Sequence, residues 1–464
     1  MRTATLGWGE LAAPARASEH AMMAMGTLCF RAFLLAQFFS LTRQFWAQHL
    51  GSGMLLLASL AGLLSTALLI PAVLAYGFRT GSVFGRLAPG AHVWVASILV
   101  LSAVLFFVGW LVKGYDPAVA AHDLAPYLTI MGCVVLGSMP EVWEDSKNLI
   151  LVLFAFAIVV NLLGMTEITH VVSEEHSEDR AGITTVAYRT QGALDFWPLL
   201  FLTARLRKPR TALFIFGGVF FILAQQILFQ KRSPTVRVVL FMLVFLFVLP
   251  RLTRKDRAAE KKRSEAKIRL LFVSTLGAGA VLALAIAPWL FLGQAAGLAD
   301  RLSGSRYSGG AAGMLTWENE RFFEASMFFK SLRAEEVVMG RGFGGYFIPE
   351  ARHWGLWLDD VGQIGRRQLH VGFLMPFFKG GVALALLYYG GVVAALYKGL
   401  RKLDRPVGAA AFFVVLIHVV FLMQEGWFIM SLAYDLTLVG LCLGYLLSAE
   451  RSPAQEQRFE EAFS

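Results

Sequence analysis

The sequence has few charged residues and few cysteines, and each shortage excludes a class of protein. Only 16% of its residues are charged while 57% are hydrophobic, whereas a soluble chain of this size carries about a quarter charged residues. Cys29, Cys133 and Cys442 all lie inside apolar runs, so neither a disulfide framework nor a zinc-binding pattern is indicated. The composition therefore predicts a protein that is embedded in a membrane.

Several apolar runs are long enough to cross the hydrocarbon core of a bilayer, which requires about 20 helical residues. We predict an all-α, polytopic membrane protein with about twelve transmembrane helices. The predicted spans in the first half are Ala21–Leu41, Ser52–Tyr76, Ala91–Val112, Leu124–Met139, Leu149–Met165 and Ala193–Ala204. Those in the second half are Ala212–Phe229, Val238–Leu249, Leu270–Leu292, Val371–Leu400, Val407–Met423 and Phe428–Leu447.

The distribution of lysine and arginine predicts the orientation of these spans. With both termini in the cytoplasm, the inner loops contain twenty basic residues and the short outer loops contain seven. This gives nine spans in residues 1–292, a large periplasmic loop with an amphipathic helix at 293–369, three spans at 370–448 and a cytoplasmic tail at 449–464. The net charge of +10 belongs to these loop clusters, so it does not indicate nucleic-acid binding.

Basic residues on the predicted outer face oppose the usual bias, so each of them needs a reason. The large loop contains eight arginines but one lysine, balanced by nine acidic residues, and arginine binds phosphate bidentately where lysine does not. Further outer cations are Lys113, Arg189 and the cluster Lys231–Arg237. That cluster is either a solvated turn with snorkelling side chains or part of a site for a membrane-embedded anion such as a lipid-linked phosphate.

His370 is the most suggestive single residue, because it follows Arg366 and Arg367 where the large loop re-enters the membrane. A lone histidine is more often structural, but this position is open to both water and lipid. The run Gly340–Gly345 matches G-x-G-x-x-G, yet no βαβ unit surrounds it, so it does not indicate a dinucleotide site. A turn that brings Arg341 and backbone amides near an anion is the alternative.

In this order, the motifs resemble those of the O-antigen ligase and O-antigen polymerase superfamily of bacterial envelope proteins. The histidine motif of that family appears as His370, Val371, nine residues and then Gly381. Arg189-Thr190-Gln191-Gly192 resembles its R-x-x-G segment, and Lys231-Arg232-Ser233 resembles its S-R-[G/S] element. Arg321 followed by Gly340–Gly344 resembles the loop arginine and the downstream glycine turn. The resemblance in residues covers mainly Arg189 to about Tyr389.

The resemblance implies that an acceptor hydroxyl attacks the anomeric carbon of an undecaprenyl-diphosphate-linked glycan, and the lipid diphosphate leaves with inversion. It implies His370 and Arg321 as catalytic residues, with His370 accepting the hydroxyl proton or orienting the acceptor. Fixed cations would stabilise the charge that develops on the leaving diphosphate. The residues assigned to diphosphate binding are Arg189, Arg232, Arg237, Arg341 and Lys113. Neither a metal nor another cofactor is expected.

The expected partners are the lipid bilayer, the lipid-linked donor and an acceptor, which is a second glycan for a polymerase and lipid A–core for a ligase. Nucleic acid is not expected, and a chain-length regulator is a further candidate partner of a polymerase. Val371 stands where ligases have a polar residue, which slightly favours a polymerase. The alternatives from other classes are a transporter or lipid-linked glycan flippase, and a non-catalytic scaffold. Few predicted spans contain charges (Arg31, Lys379, Asp435), which favours the enzyme over the transporter.

Overall fold

The computed structural model describes residues 8–166, 217–218, 325, 328–347, 369, 372–403, 405–422 and 434–449. Within these ranges the chain is helical, apart from turns and an isolated bridge between Leu87 and Ser448. The α-helices, in chain order, are α1 (Trp8–Leu41), α2 (Arg43–Leu50), α3 (Gly53–Thr80), α4 (Pro89–Phe107), α5 (Pro117–Gly137), α6 (Pro140–Thr166), α7 (Ala334–Met339), α8 (Met375–Leu400), α9 (Pro406–Leu422) and α10 (Tyr434–Leu447). A π-helical turn (Val108–Val112) continues α4, and a 3-10 turn (Gly372–Leu374) precedes α8.

Among the described residues, five helical segments are long and apolar enough to cross a membrane, namely Ala21–Ser40, Leu56–Phe78, Pro89–Val112, Pro117–Gly137 and Gly372–Leu400. Val407–Val419 and Leu436–Leu447 form shorter apolar helices. The part of the chain that the structure describes is therefore all-α, as predicted, and its long apolar helices are compatible with a membrane protein. Apart from residues 217–218, the four spans predicted between 193 and 292 lie outside that part, so the total of twelve stays a prediction, as does the large periplasmic loop.

Helices α5 and α6 begin earlier than the predicted spans, because polar residues inside each helix precede its long apolar run. The run suggested that α5 begins at Leu124, but the helix begins at Pro117. The carboxylate of Asp116 accepts a hydrogen bond from the Ala118 amide at 2.7 Å, and a proline at the first helical position completes the N-terminus. Likewise, α6 begins with a proline ahead of its apolar run. The earlier start places Asp123 inside α5.

Polar contacts distinguish the two ends of the helix bundle. At one end, Arg86 forms an ion pair with Glu141 at 2.9 Å. At the same end, the Lys402 ammonium donates hydrogen bonds to the last carbonyls of α10. The next residue, Ser448, forms the bridge to Leu87, which directly follows Arg86. At the opposite end of α4, Lys113 contacts residues 340–341, which lie between α7 and α8. Arg86 and Lys402 thus share one end, as the predicted orientation requires.

Arg31 lies in the first span, where an unpaired charge would be costly. Its Nε and one terminal nitrogen donate to the carbonyl oxygen of Asp145 at 2.9 and 2.5 Å. The carboxylate of Asp145 in turn accepts hydrogen bonds from the hydroxyls of Tyr76 at 2.7 Å and Thr27 at 2.9 Å. The expected partner of Arg31 is therefore present, and the network joins α1, α3 and α6.

Glycines allow α5 and α10 to pack with their backbones almost in contact. A Cβ added to Gly444 would lie 2.0 Å from the carbonyl oxygen of Val134, and one added to Gly137 would lie 2.2 Å from that of Leu441. Gly440 and Gly444 form the G-x-x-x-G spacing that membrane helices use for close approach. This contact holds α5, the helix that carries the buried Asp123, against the last described helix.

Replacing Gly444 with alanine should destabilise the protein, because the methyl group requires the backbones of α5 and α10 to separate. Overpacking of this kind costs about 1–3 kcal/mol, so we expect a lower Tm in thermal unfolding of the detergent-purified protein. Gly90→Ala is a matched control, since a Cβ there meets no atom within 4 Å. An unchanged Tm for Gly444→Ala would contradict the close helix contact.

Candidate functional site

Two of the predicted site residues lie in the described ranges, and the structure brings them together. The ammonium of Lys113, at the end of the π-helical turn, donates to the carbonyl oxygens of Gly340 at 3.3 Å and Arg341 at 3.0 Å. These residues are more than 200 positions apart in the sequence. The other predicted site residues lie outside the described residues, and their assignments stay predictions: His370, Arg321, Arg189, Arg232 and Arg237.

Helix α8 is broken near its start by two consecutive glycines. Gly380 has φ −128° and ψ 15°, and Gly381 has φ 61° and ψ −159°, the second being a conformation that essentially only glycine adopts. Since the helix is interrupted, the carbonyls of Phe378 and Lys379 need partners from another part of the chain. At membrane depth an unpaired carbonyl costs several kcal/mol, roughly, so such a break requires a protein segment that covers it.

The glycine turn, residues 340–345, supplies those partners. The amides of Arg341 and Gly342 donate to the carbonyls of Phe378 and Lys379 at 3.0 and 2.9 Å. Three glycines of the turn have φ between 67° and 84°, a range that side-chain-bearing residues rarely adopt. The G-x-G-x-G pattern is therefore explained by a turn that docks on a helix break, which agrees with the rejection of a dinucleotide site.

The glycine turn also contacts α4 where that helix changes to π-helical geometry. The amide of Phe343 donates to the carbonyl of Leu105 at 3.4 Å. A Cβ on Gly109 would lie 2.1 Å from the carbonyl oxygen of Phe343, so glycine is needed for the backbones to meet. The ring of Phe343 is fully buried and stacks on Tyr127 of α5 at 5.3 Å. The loop backbone thus inserts among α4, α5 and α8.

The guanidinium of Arg341 is used to hold the loop itself. It donates to the carbonyl of Tyr346 at 2.6 Å and to the carbonyl and hydroxyl of Ser331 at 2.6 and 2.8 Å. Its Nε lies 3.4 Å from the carboxylate of Glu336, and the side chain is 9% exposed. In this conformation Arg341 and the amides of the turn fix the loop, and Lys113 is an exposed cation beside them.

The surroundings of Lys113 shift the pKa of its ammonium group. Burial lowers the pKa of Lys113 below its ordinary value, while the Glu336 carboxylate acts in the opposite direction. Burial also raises the pKa of the neighbouring Tyr115, whose ring faces that of Tyr346 at 6.2 Å between centroids. A partly desolvated ammonium attracts an anion more strongly than one in bulk water, so Lys113 is suited to the anion-binding role predicted for it.

The structure also shows a buried ion pair that the sequence did not reveal. The ammonium of Lys379 lies 2.5 Å from Oδ2 of Asp123, and their side chains are 0% and 2% exposed. The Gly344 amide donates to the same oxygen at 2.8 Å, and Lys379 donates to the Gly345 carbonyl at 2.8 Å. Lys379 stood out as a charge within a span, but Asp123 preceded the span predicted from Leu124. Extending α5 back to its N-terminal proline would have found the second charge.

Within the described ranges, the donor set does not resemble a metal centre. No group of three or more histidine, cysteine, aspartate or glutamate side chains is placed there to hold a metal ion. The groups that converge at this end of the bundle are Lys113, two tyrosines, the glycine turn and the Asp123–Lys379 pair. They can bind polar or anionic ligands and can fix a loop.

Comparisons with known proteins do not place the chain in a family. No protein-family model matches the sequence, and a search of curated proteins finds no significant match. We therefore base the functional proposal on the sequence motifs and on the geometry described above.

Proposed function

We propose that this protein transfers or polymerises an undecaprenyl-diphosphate-linked glycan onto an acceptor hydroxyl at the periplasmic face of a bacterial inner membrane. It would be a multi-pass, inverting glycosyltransferase with both termini in the cytoplasm. An O-antigen or exopolysaccharide polymerase is slightly preferred over an O-antigen ligase. The Lys113 end of the bundle is then the periplasmic end, and the end with Arg86 and Lys402 is cytoplasmic, in keeping with the positive-inside rule.

The contact between the glycine turn and the break in α8 is the observation that carries this proposal. Two motifs that resemble the O-antigen superfamily, the 340–344 turn and Gly381 of the histidine motif, are distant in sequence but pack together. A Cβ on Gly381 would lie 2.6 Å from the amide nitrogen of Gly340. Elements of one site are expected to meet in space, so the contact supports a single site near the start of α8.

The start of α8 also supports the position proposed for His370. The preceding residue, Leu369, is 1% exposed, and its amide donates to the sulfur of Met375 at 3.2 Å. The chain next to His370 is therefore anchored to the first turn of α8. Its histidine would lie at the same end of the bundle as Lys113 and the glycine turn.

In the proposed mechanism, the acceptor oxygen forms a bond to the anomeric carbon while the bond from that carbon to the lipid diphosphate breaks. The electron pair leaves with the diphosphate, and the hydroxyl proton passes to His370, which can act as a base near neutral pH. Arg321 and the diphosphate-binding cations would stabilise the leaving group. Of the predicted diphosphate-binding cations, Lys113 is exposed beside the glycine turn, whereas the guanidinium of Arg341 is bound to the loop. Arg189, Arg232 and Arg237 complete the proposed set.

The described charges within spans favour transfer over transport. A flippase needs a polar cavity lined by charged side chains, which remain available to the substrate. Here Lys379 is fully buried and paired with Asp123, and Arg31 is bound to the Asp145 carbonyl. Lys379 is thus enclosed within the bundle, whereas Arg31 is exposed but is held by its contact with α6.

The proposed function is tested by replacing Arg321 with alanine and, separately, with lysine in the producing strain. We expect Arg321→Ala to lose most polymer, because removing a fixed donor to a transition-state anion costs on the order of 10²–10³ in rate. Arg321→Lys should recover only part of it, since lysine cannot bind phosphate bidentately. Gel electrophoresis of the glycans measures the outcome at protein levels matched by immunoblot.

The same glycan profile separates the two enzymes and the alternative. Single repeats on the lipid core indicate a lost polymerase, and a bare core indicates a lost ligase. Arg86→Gln, at the opposite end of the bundle, is the control and should leave the profile unchanged. Normal glycans in Arg321→Ala, together with labelled-substrate uptake by proteoliposomes, would favour a transporter.

A further inference from the structure

We propose that Asp123 and Lys379 form a positioning pair that holds the glycine turn, and through it Lys113, in the geometry needed for transfer. This inference rests on the proposed glycan-transfer function for its catalytic consequence. The pair itself does not depend on that function, because its contacts join α5, α8 and the glycine turn. Both side chains are essentially excluded from solvent, so each would act through the turn.

The burial of the Asp123–Lys379 pair within the helix bundle indicates a functional role. Asp123 is six residues after the start of α5, which is about 9 Å along the helix axis, and both side chains are essentially excluded from solvent. Charges at such depth are costly and are usually retained for function. Replacing a buried ion pair with apolar residues is often neutral or stabilising, so packing alone would not require one.

The hydrogen bonds of the pair show what it holds. Oδ2 of Asp123 accepts from Lys379 and also from the Gly344 amide, while Lys379 donates to Asp123 and also to the Gly345 carbonyl. Each partner thus binds one backbone group of the turn. If the pair served only to neutralise two charges within the bundle, contact with the turn would not be needed.

Fixing the turn also fixes the groups attached to it. The carbonyls that accept from the Lys113 ammonium belong to Gly340 and Arg341, at the start of the same turn. Gly344 packs against Tyr115, where a Cβ would lie 2.8 Å from the tyrosine Cβ. Release of the turn would therefore remove contacts that position Lys113 and Tyr115. Small misplacements of groups at a reacting site lower rates strongly.

Two variants separate positioning from charge neutralisation because the two roles predict opposite rankings. Asp123→Asn removes the charge but keeps an oxygen that can accept from Gly344 and Lys379. The exchanged pair Asp123→Lys/Lys379→Asp restores opposite charges, but a lysine at position 123 cannot accept from the Gly344 amide and an aspartate at position 379 cannot donate to the Gly345 carbonyl. Positioning predicts a docked turn in Asp123→Asn and a released turn in the exchanged pair. Neutralisation predicts the reverse.

Hydrogen exchange measured by mass spectrometry on the detergent-purified full chain reports the turn directly, since the amides of residues 341–344 all donate to helix carbonyls or to Asp123. We expect exchange in the peptide that covers 340–347 to be at least about tenfold faster in the exchanged pair and near the parent rate in Asp123→Asn. Trypsin cleavage after Arg341 should follow the same order. Glu141→Gln, which disrupts the ion pair at the opposite end, is the matched control.

Glycan transfer by the same variants tests the catalytic consequence. We expect the exchanged pair to lose at least about tenfold in transfer at equal protein level, and Asp123→Asn to retain most of it. Parent-like exchange and transfer in the exchanged pair would overturn the inference. If exchange follows the expected ranking while transfer is unaffected in every variant, including those of Arg321, the proposed function fails and the inferred control of transfer fails with it.

Discussion

Replacing His370 with alanine should reduce glycan transfer by about 10²–10⁴-fold, the range that a positioned general base contributes. The acceptor hydroxyl would then have no side chain to take its proton as the bond to the anomeric carbon forms. We expect polymer to disappear from the glycan profile of the producing strain. Transfer by the purified protein from a lipid-linked donor would fall to the level of the uncomplemented background.

A matched histidine controls for the effect of removing an imidazole. His92 lies near the start of α4, at the end of the bundle that carries Arg86, where its ring stacks on Phe84 at 5.1 Å. His92→Gln should change neither glycans nor transfer. Near-parent transfer by His370→Ala, at equal protein level, would contradict a role as base, and recovery by His370→Gln would indicate that the residue orients the acceptor.

The sequence predicted the helices well because their signal is local. Apolar runs of sufficient length indicated α1, α3, α4 and α8, and only their polar ends were uncertain. The predicted start of α5 was wrong, because an apolar run was taken to begin only after His122 and Asp123, whereas the helix already begins at Pro117 with Asp116 as its cap. That error concealed Asp123, which is one residue before the predicted span.

The contacts of the candidate site could be predicted only in part, because they join residues far apart in the chain. The sequence singled out Lys113, Arg341 and the glycine turn, and the structure does bring Lys113 to Arg341. The sequence could not show that the guanidinium of Arg341 binds the loop, because two of its three acceptors are backbone carbonyls, which any residue carries. The pairing of Asp123 with Lys379 spans 256 positions, so no local pattern reveals it.

Replacing Gly381 with alanine should affect both stability and transfer strongly. The φ of 61° and ψ of −159° at this residue are strained for any side-chain-bearing residue, at a cost of about 1–3 kcal/mol. The new Cβ would also lie 2.3 Å from the carbonyl oxygen of Val338 and 2.6 Å from the amide nitrogen of Gly340. A backbone shift large enough to relieve these contacts would separate the glycine turn from α8.

We expect Gly381→Ala to lower the Tm, to speed hydrogen exchange in the peptide that covers 340–347, and to abolish polymer formation. Gly390→Ala is the control on the same helix, because a Cβ there has no neighbour within 4 Å and alanine favours the helix. Its Tm should be equal or slightly higher. Gly381, the glycine of the histidine motif, would thus act through backbone geometry. If Gly381→Ala kept the parent rate of hydrogen exchange in residues 340–347 and formed normal polymer, the turn would not depend on the break in α8.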